Sequence, residues 1–531
     1  MKNKKGFTLI ELLAVIIILA VIALIATPIV LNVIDSARKS ANKDSAYGLL
    51  DSAKLYYMES LLDESKSLSG NLIYKINVSG RKPDSGTVYI NNRGETAIAV
   101  VYDKICYKKE YSDTDLTESD DINNCKIKVV YKDSILNGAD PELKDNLVPV
   151  VINNDGTVKK ADLSEEWYNY TNKTWANAVT LKDKSISYTD EEIIPEGNID
   201  GYFVWIPRYK YEIFNEGNYT TATTVDSKPS ESAEQEIQIV FENKNTTKSV
   251  GSTVGSYLTH PAFTLGNVEL NGIWVGKYET SGSTTDIDVL PNVTSLRSIN
   301  VKTMFDLAYN YDRSLDSHMM KNTEWGAVAY LSHSRYGINE EIRINNSATF
   351  TTGCAATIPA LNYVGKSQSD HTEGYYNECE NEYYKSIGYL ASTTGNISGI
   401  YDMSGGVWEY MASYMDGVYG NSGFDASSIS NYDSKYFDVY PADSEITTYN
   451  KRILGDATGE LGPFYSYKDS DTGQRYHSTW GTDNAYFVEA SIPWFARGGN
   501  YRDGTIAGSF AFYRYTGVAY GYISFRLVLA D

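Results

Sequence analysis

Trp494–Leu529 reads WFARGGNYRDGTIAGSFAFYRYTGVAYGYISFRLVL, stops two residues before the last residue, and decides how the chain is read. Alternate positions are aromatic or apolar (Phe510, Phe512; then Phe525, Leu527), the period-two pattern of strands with one buried face. Between them lie Tyr513, Arg514, Tyr515, Tyr520 and Tyr522, with glycines at turn-like places. Tyr and Arg combine large contact area with adaptable polar tips, which is the chemistry of a binding surface.

The same stretch is marked by an absence. Gly498–Ser524 contains no Lys, Glu, Gln, Met or Trp. Those types make up roughly a sixth of the chain, so a gap of about 27 residues has a chance probability on the order of one percent. Strand composition explains part of it, because Lys and Glu are disfavoured in strands. A mutational origin is the other explanation: AAC or AAT codons altered only at adenine encode none of the five. The frame Arg497, Gly498, Gly499, Ala507, Gly508, Phe510, Phe512, Thr516, Gly517, Ser524, Phe525, Arg526 resembles the variable region of target proteins of diversity-generating retroelements. That resemblance implies diversified, ligand-contacting positions at Arg502, Asp503, Ile506, Ser509, Ala511, Tyr513, Arg514, Tyr515, Val518, Tyr520, Gly521, Tyr522 and Ile523.

A chain of 531 residues holds more than one domain. Its net charge of -21 argues against nucleic acid or an anionic membrane surface as ligand. Its 45 Tyr favour a β-rich fold with an adhesive surface. Cys106, Cys125, Cys354 and Cys379 fall in two local pairs spaced too widely for a zinc knuckle, so two disulfides are expected in a secreted chain.

The N-terminus, MKNKKGFTLIELLAVIIILAVIALIATPIVLNVI, is a basic leader before an apolar run long enough to span a bilayer. No small-x-small cleavage site ends the run, Gly6 precedes Phe7, and Glu11 is a lone carboxylate inside it. GFTLIELL resembles the class III leader of type IV pilins and pseudopilins. By that resemblance a prepilin peptidase cuts after Gly6 and methylates the Phe7 amine, and Glu11 pairs with the N-terminal amine of a neighbouring subunit. Pro28 removes a helical hydrogen bond and should kink or locally melt the helix. The helical period continues through Ala46, Leu50, Ala53, Tyr57 and Leu61, giving a helix of roughly 80 Å laid on a small sheet. Candidate strands are Asn71–Val78, Thr87–Ile90, Thr96–Val101 and Lys126–Tyr131, with Cys106 and Cys125 closing an exposed acidic loop, Tyr107–Asn124.

Further on, Asn137–Val151 reads as a linker. Trp167–Trp175 and Tyr202–Tyr211 read as core, Asn215–Ser256 as a long excursion with a possible strand at Ile237–Phe241, and Gly272–Glu279 as a strand. Then come NTEWGAVAYLS (Asn322–Ser332), apolar at helical spacing, GIYDMSGGVWEYM (Gly399–Met411) and the tail. This succession resembles the formylglycine-generating-enzyme/sulfatase-modifying-factor family, a variety of the C-type lectin fold. The resemblance implies framework roles for Trp325, Asp402, Trp408, Glu409, Arg497 and Arg526, with buried Arg and Asp paired to each other or to backbone. It also departs from the family: no cysteine follows Cys379 to bind copper as thiolate, and His477 is the lone histidine of the last stretch. No enzyme is expected, and no cofactor or metal site is identified. Asp469, Asp471 and Gly473 only faintly resemble a calcium loop, although the fold admits a structural calcium.

The sequence therefore predicts an α+β protein with a leader (1–6), an N-terminal helix (7–65, with 7–34 transmembrane) and a pilin head (66–136). A linker (137–150) leads to a C-type-lectin-like ligand-binding domain (151–531) with its variable tail at 494–529. It is expected in the cell membrane before assembly, then on an extracellular pilus or the cell surface. Expected partners are other pilin subunits, the prepilin peptidase, the inner membrane and an unknown protein or glycan ligand, with no nucleic acid. The function expected is that of a minor or tip pilin adhesin. The alternative is a pseudopilin of a secretion or DNA-uptake system with fixed specificity, the latter disfavoured by the acidic balance.

Overall fold

The computed structural model describes residues 9–530 except 61–71, 79, 91–93, 112, 123–124, 128–137, 214–222, 225–235, 254, 358–378, 380, 386, 443–452, 459, 462–464 and 469–474. One long helix followed by sheet-rich structure makes the chain α+β. It divides into two compact units, Met1–Lys132 with Leu163–Glu166, and Asp133–Asp162 with Trp167–Asp531.

The first unit is built on the helix Leu9–Ser60. Its first half exposes Leu, Ile and Val on all sides, and among the described residues it is the one helix long and apolar enough to cross a membrane. The helix continues through Pro28. Beyond it, Ala46, Leu49, Leu50 and Ala53 recur at i, i+3, i+4 and i+7, and this stripe is buried. It packs on an antiparallel sheet of Ser85–Ile90, Thr96–Tyr102, Ile105–Lys109 and Thr117–Ser119, in that order. Arg81 forks onto Asp103 with bonds of 2.7 and 2.9 Å, the bidentate geometry that guanidinium and carboxylate favour.

Two local expectations are corrected. Of the strand expected at Asn71–Val78, the described residues 72–78 form none: Ile76 N donates to Leu72 O at 3.0 Å, and both side chains are buried four residues apart, as one helical turn. The loop closed by the Cys106–Cys125 disulfide contains the Thr117–Ser119 strand and buries Tyr107 and Leu116, so it is only partly exposed. Most of Lys126–Tyr131 lies outside the described residues.

In the second unit, a seven-stranded sheet has the order His318–Met319, Leu527–Leu529, Gly272–Gly276, Ile199–Pro207, Asn177–Leu181, Val148–Ile152, Val158–Lys160. The final strand is therefore interior, between strands contributed from far upstream. A second sheet runs Asp438–Tyr440, Trp408–Met415, Trp494–Gly498, Gly508–Tyr515, with Ile523–Ser524 pairing Trp408 and Glu409. The helix Asn322–Ser332 is wholly buried, and one core holds Trp175, Trp205, Trp274, Trp325 and Trp494 together. Cys354 and Cys379 form the second disulfide. The stretch read as a linker is tied down instead: the indoles of Trp205 and Trp274 donate to Ala139 O and Glu142 O, both at 2.9 Å. Pairing those two indoles satisfies polar groups that burial would otherwise strand.

Candidate ligand-binding face

Strand alternation sorts the tail into two faces. Trp494 pairs with Tyr515, Ala496 with Tyr513 and with Tyr410, while Arg497 pairs with Phe512 and Glu409. Trp408, Tyr410, Tyr513 and Tyr515 thus share one side of the sheet, and Glu409, Arg497 and Phe512 the other.

The inward side is a framework. The Trp325 indole donates to Ser509 O at 2.7 Å. Arg497 is fully buried between the rings of Trp325 and Phe512 and donates to Asp456 O and Ala457 O at 3.2 and 3.0 Å. Burial brings its pKa down to about 10. Arg526 is equally buried and holds both oxygens of Glu409, Gly276 O at 2.8 Å and Tyr401 O at 3.1 Å. Asp402 accepts from Asn345 Nδ2 at 2.8 Å and from Gly353 N. Burial pushes Glu409 up to about 7 against the pull of Arg526. Glu279, buried beside Asp402 and Glu409, is raised further. These groups answer to each other and to backbone, as buried polar groups must.

The outward side is aromatic. Tyr486 packs on Tyr513 at 5.1 Å, Tyr513 on Tyr515 at 5.2 Å, Tyr515 on Tyr520 at 5.3 Å, and Tyr520 stacks on Tyr522 at 5.2 Å. Trp408 lies beneath, 5.7 Å from Tyr513 and 6.3 Å from Tyr515. Trp408, Tyr410 and Tyr486 are members that the tail alone does not reveal. The pleat of the 408–415 strand is the signal that places the first two.

The loop after Tyr515 is held by its main chain. Thr516 O accepts from Asn421 N at 2.7 Å, Gly517 O from Val301 N at 3.1 Å, Tyr520 O from Ser298 N at 3.0 Å and Tyr522 O from Trp408 N at 3.0 Å. Val518 O accepts from the Tyr410 hydroxyl at 3.0 Å, and Gly521 O from Arg297 Nη1 at 2.7 Å. All six donors lie outside Gly498–Ser524. Gly517 has φ +85°, and a Cβ there would meet Ser422 Cβ at 2.6 Å, so only glycine suits this turn.

Of the positions expected to contact ligand, Arg502, Gly521 and Tyr522 are exposed, and Ile506, Tyr513, Tyr515, Val518 and Tyr520 are partly so. Four are corrected: Ala511 and Ile523 (0% exposed), Ser509 (4%) and Asp503 (8%) are buried. Ser509 and Ala511 sit where the strand is still covered, Ile523 in the pairing with Trp408, and Asp503 folds back to accept from Asn500 N. Arg514 is partly exposed like its neighbours. It alternates to the opposite side from the tyrosines and pairs with Glu489 at 3.0 Å. Gly6 and Phe7 lie outside the described residues, as do the Glu11 side chain and the faint calcium loop at 469–474. Among the described residues no group of three His, Cys, Asp or Glu is placed to hold a metal ion. All four cysteines are in disulfides, which leaves no free thiol.

Residues 1–27 match the prokaryotic N-terminal methylation motif. With the apolar helix, the motif fits membrane insertion and prepilin-type processing. A comparison with curated protein sequences gives no match. Solved structures of the Major Tropism Determinant align over most of both chains. The I1 variant does so over 82% of this chain and 81% of its own at 11% identity, and the M1 variant over 82% and 81% at 12%, each with a TM-score of 0.25. The U1 variant covers 85% and 82% at 12% identity, again with a TM-score of 0.25. That similarity is too distant to carry an argument about fold or function.

Proposed function

We propose that the chain is a pilin-like subunit displaying a C-type-lectin-like domain, and that it acts as a surface adhesin. The N-terminal helix serves membrane storage and incorporation into a pilus, and the tyrosine face of the second unit binds a ligand without catalysis or cofactor. The observation that carries the reading is the loop at 516–522, fixed through six main-chain carbonyls, with Tyr522 exposed and Val518 and Tyr520 partly so. A backbone held this way keeps its shape whatever the side chains are, which is what a diversified binding surface requires. Diversification by a retroelement accounts for both this anchoring and the missing residue types.

Sequencing the coding region of Gly498–Ser524 across a natural population tests the reading. Adenine-confined changes should fall on the exposed set Arg502, Ile506, Tyr513, Tyr515, Val518, Tyr520, Gly521 and Tyr522, with Phe510, Gly517 and Phe525 constant. A uniform tail refutes diversification.

A further inference from the structure

The tyrosine face is bordered by a cation that no tail variant removes. Arg297 lies outside the tail and spends one N–H on Gly521 O at 2.7 Å, at the surface beside Tyr522. Its guanidinium lies 3.9 Å over the Phe350 ring, its Nε is buried without a hydrogen-bond partner, and no ion pair joins it to a carboxylate among the described residues. Phe350 packs on Tyr501 at 5.2 Å, and the exposed Arg502 sits 5.0 Å over Tyr501. The two guanidiniums therefore bracket an aromatic strip.

The nearby carboxylates have partners of their own. Asp503 is buried and bonded to Asn500 N, and Glu489 is taken by Arg514. Glu279 is the acidic side chain whose field reaches Arg297, but its oxygens are bonded by Ser295 Oγ and Val407 N and it forms no ion pair with the guanidinium among the described residues. A partly desolvated guanidinium with no carboxylate bonded to it is destabilising, and an incoming carboxylate relieves it through a charge-assisted bond. On a chain of net charge -21, this border is locally positive.

We propose that Arg297 is a fixed anion-recognition position of the tyrosine face, and that the partner is a protein whose docking segment presents a carboxylate there. This rests on the adhesin reading and adds the ligand class. The ring geometry favours protein over glycan. From Tyr486 to Tyr520 successive rings lie at 69°, 56° and 55° to one another, Tyr520 and Tyr522 cover each other by stacking at 25°, and even Tyr522 is only 36% exposed. Such packing offers mainly edges and hydroxyls, as protein interfaces use.

The test uses the full-length chain in nanodiscs, panned against a phage-displayed library of random linear peptides, with a glycan array alongside. Enriched peptides should carry Asp or Glu, and their binding should weaken with added salt. Arg297→Gln should reduce their affinity at least tenfold, while Arg297→Lys stays within about threefold of the parent, with thermal midpoints checking that both variants fold. Tyr520→Ala with Tyr522→Ala should abolish binding. Peptides lacking acidic residues, no enrichment at all, or affinity unchanged by Arg297→Gln overturns the proposal. Glycan hits without peptide hits overturn the choice of protein. Binding that needs the tyrosines but not Arg297 sinks this inference alone. Binding that ignores the tyrosines sinks the face itself.

Discussion

Glu460 offers a test of the buried framework that needs no ligand. It is fully buried, and its Oε1 accepts from the hydroxyls of Tyr211 and Tyr330, both at 2.6 Å, while Gly455 N approaches both oxygens at 2.8 and 2.9 Å. Burial, then the nearby Asp456, pushes its pKa from 4.5 to about 7 against those hydrogen bonds. A carboxyl whose folded pKa is raised stabilises the fold fully below its unfolded pKa and loses that contribution as pH rises through the folded value. At 1.36 kcal/mol per pH unit, the difference amounts to about 3 kcal/mol. Glu460→Gln mimics the protonated acid and does not titrate. Its stability should match the parent near pH 4.5 and exceed it by about 3 kcal/mol at pH 8. Urea unfolding in detergent, followed by tryptophan fluorescence, measures this cleanly, since all 8 tryptophans lie in the second unit. Comparing the two proteins at each pH cancels other groups, including buried His260 and His333, lowered to about 3 and about 4. Parallel pH profiles, or a variant that weakens relative to the parent as pH rises, would refute the argument.

Three more outcomes follow from named contacts. Gly517→Ala forces a positive φ on a Cβ that has Ser422 and Trp494 within 2.8 Å, and should cost about 2 kcal/mol by urea unfolding while abolishing ligand binding. Replacing Cys354 and Cys379 together by Ser opens a loop of sequence separation 25 and should cost about 3 kcal/mol, measured the same way on the second unit. Tyr520→Ala with Tyr522→Ala should leave the thermal midpoint within a few degrees, because both rings are partly exposed, yet weaken binding of any ligand selected on the parent at least tenfold.

The two ends of the chain were legible in the sequence because each carries a local rule. A bilayer-length apolar run with one carboxylate needs no tertiary context to be recognised, and alternation around Phe510 and Phe512 requires a strand with one buried face. The strands at Thr96 and Gly272, the helix at Asn322 and both disulfides came from the same kind of local signal. What was not legible is what depends on neighbours. Leu72 and Ile76 satisfy a strand pattern and a helical turn equally well, and the bond between them decides. Trp408 was read as framework, and it is buried, but it is also the floor of the tyrosine face because the 523–524 strand pairs beside it.

The four covered tail positions, and Arg514 on the opposite side of its strand, expose the limit most directly. A mutational signature, where one operates, would mark where codons vary, whereas exposure is set by how strands cross. Ser509 and Ala511 alternate with Phe510 and Phe512, so polarity alone places them outward. The outer side of the strand is nevertheless closed over them and opens only at Tyr513. Arg514 has the composition of a contact residue and the parity of a core residue, and Glu489 resolves the conflict by pairing with it. The consequence is a narrower functional surface than the sequence suggests. On the proposed reading it consists of seven side chains and Gly521, on a backbone that the scaffold grips by its carbonyls, with the buried ion pairs fixing that scaffold from below. If the covered positions do vary in nature, they should vary among small residues at 509 and 511 and among apolar residues at 523, since a large or charged side chain there must displace packed neighbours. Sequencing that finds lysine-sized or charged residues freely at 511 would show that this strand is not seated as described, and the eight-residue surface would have to be redrawn.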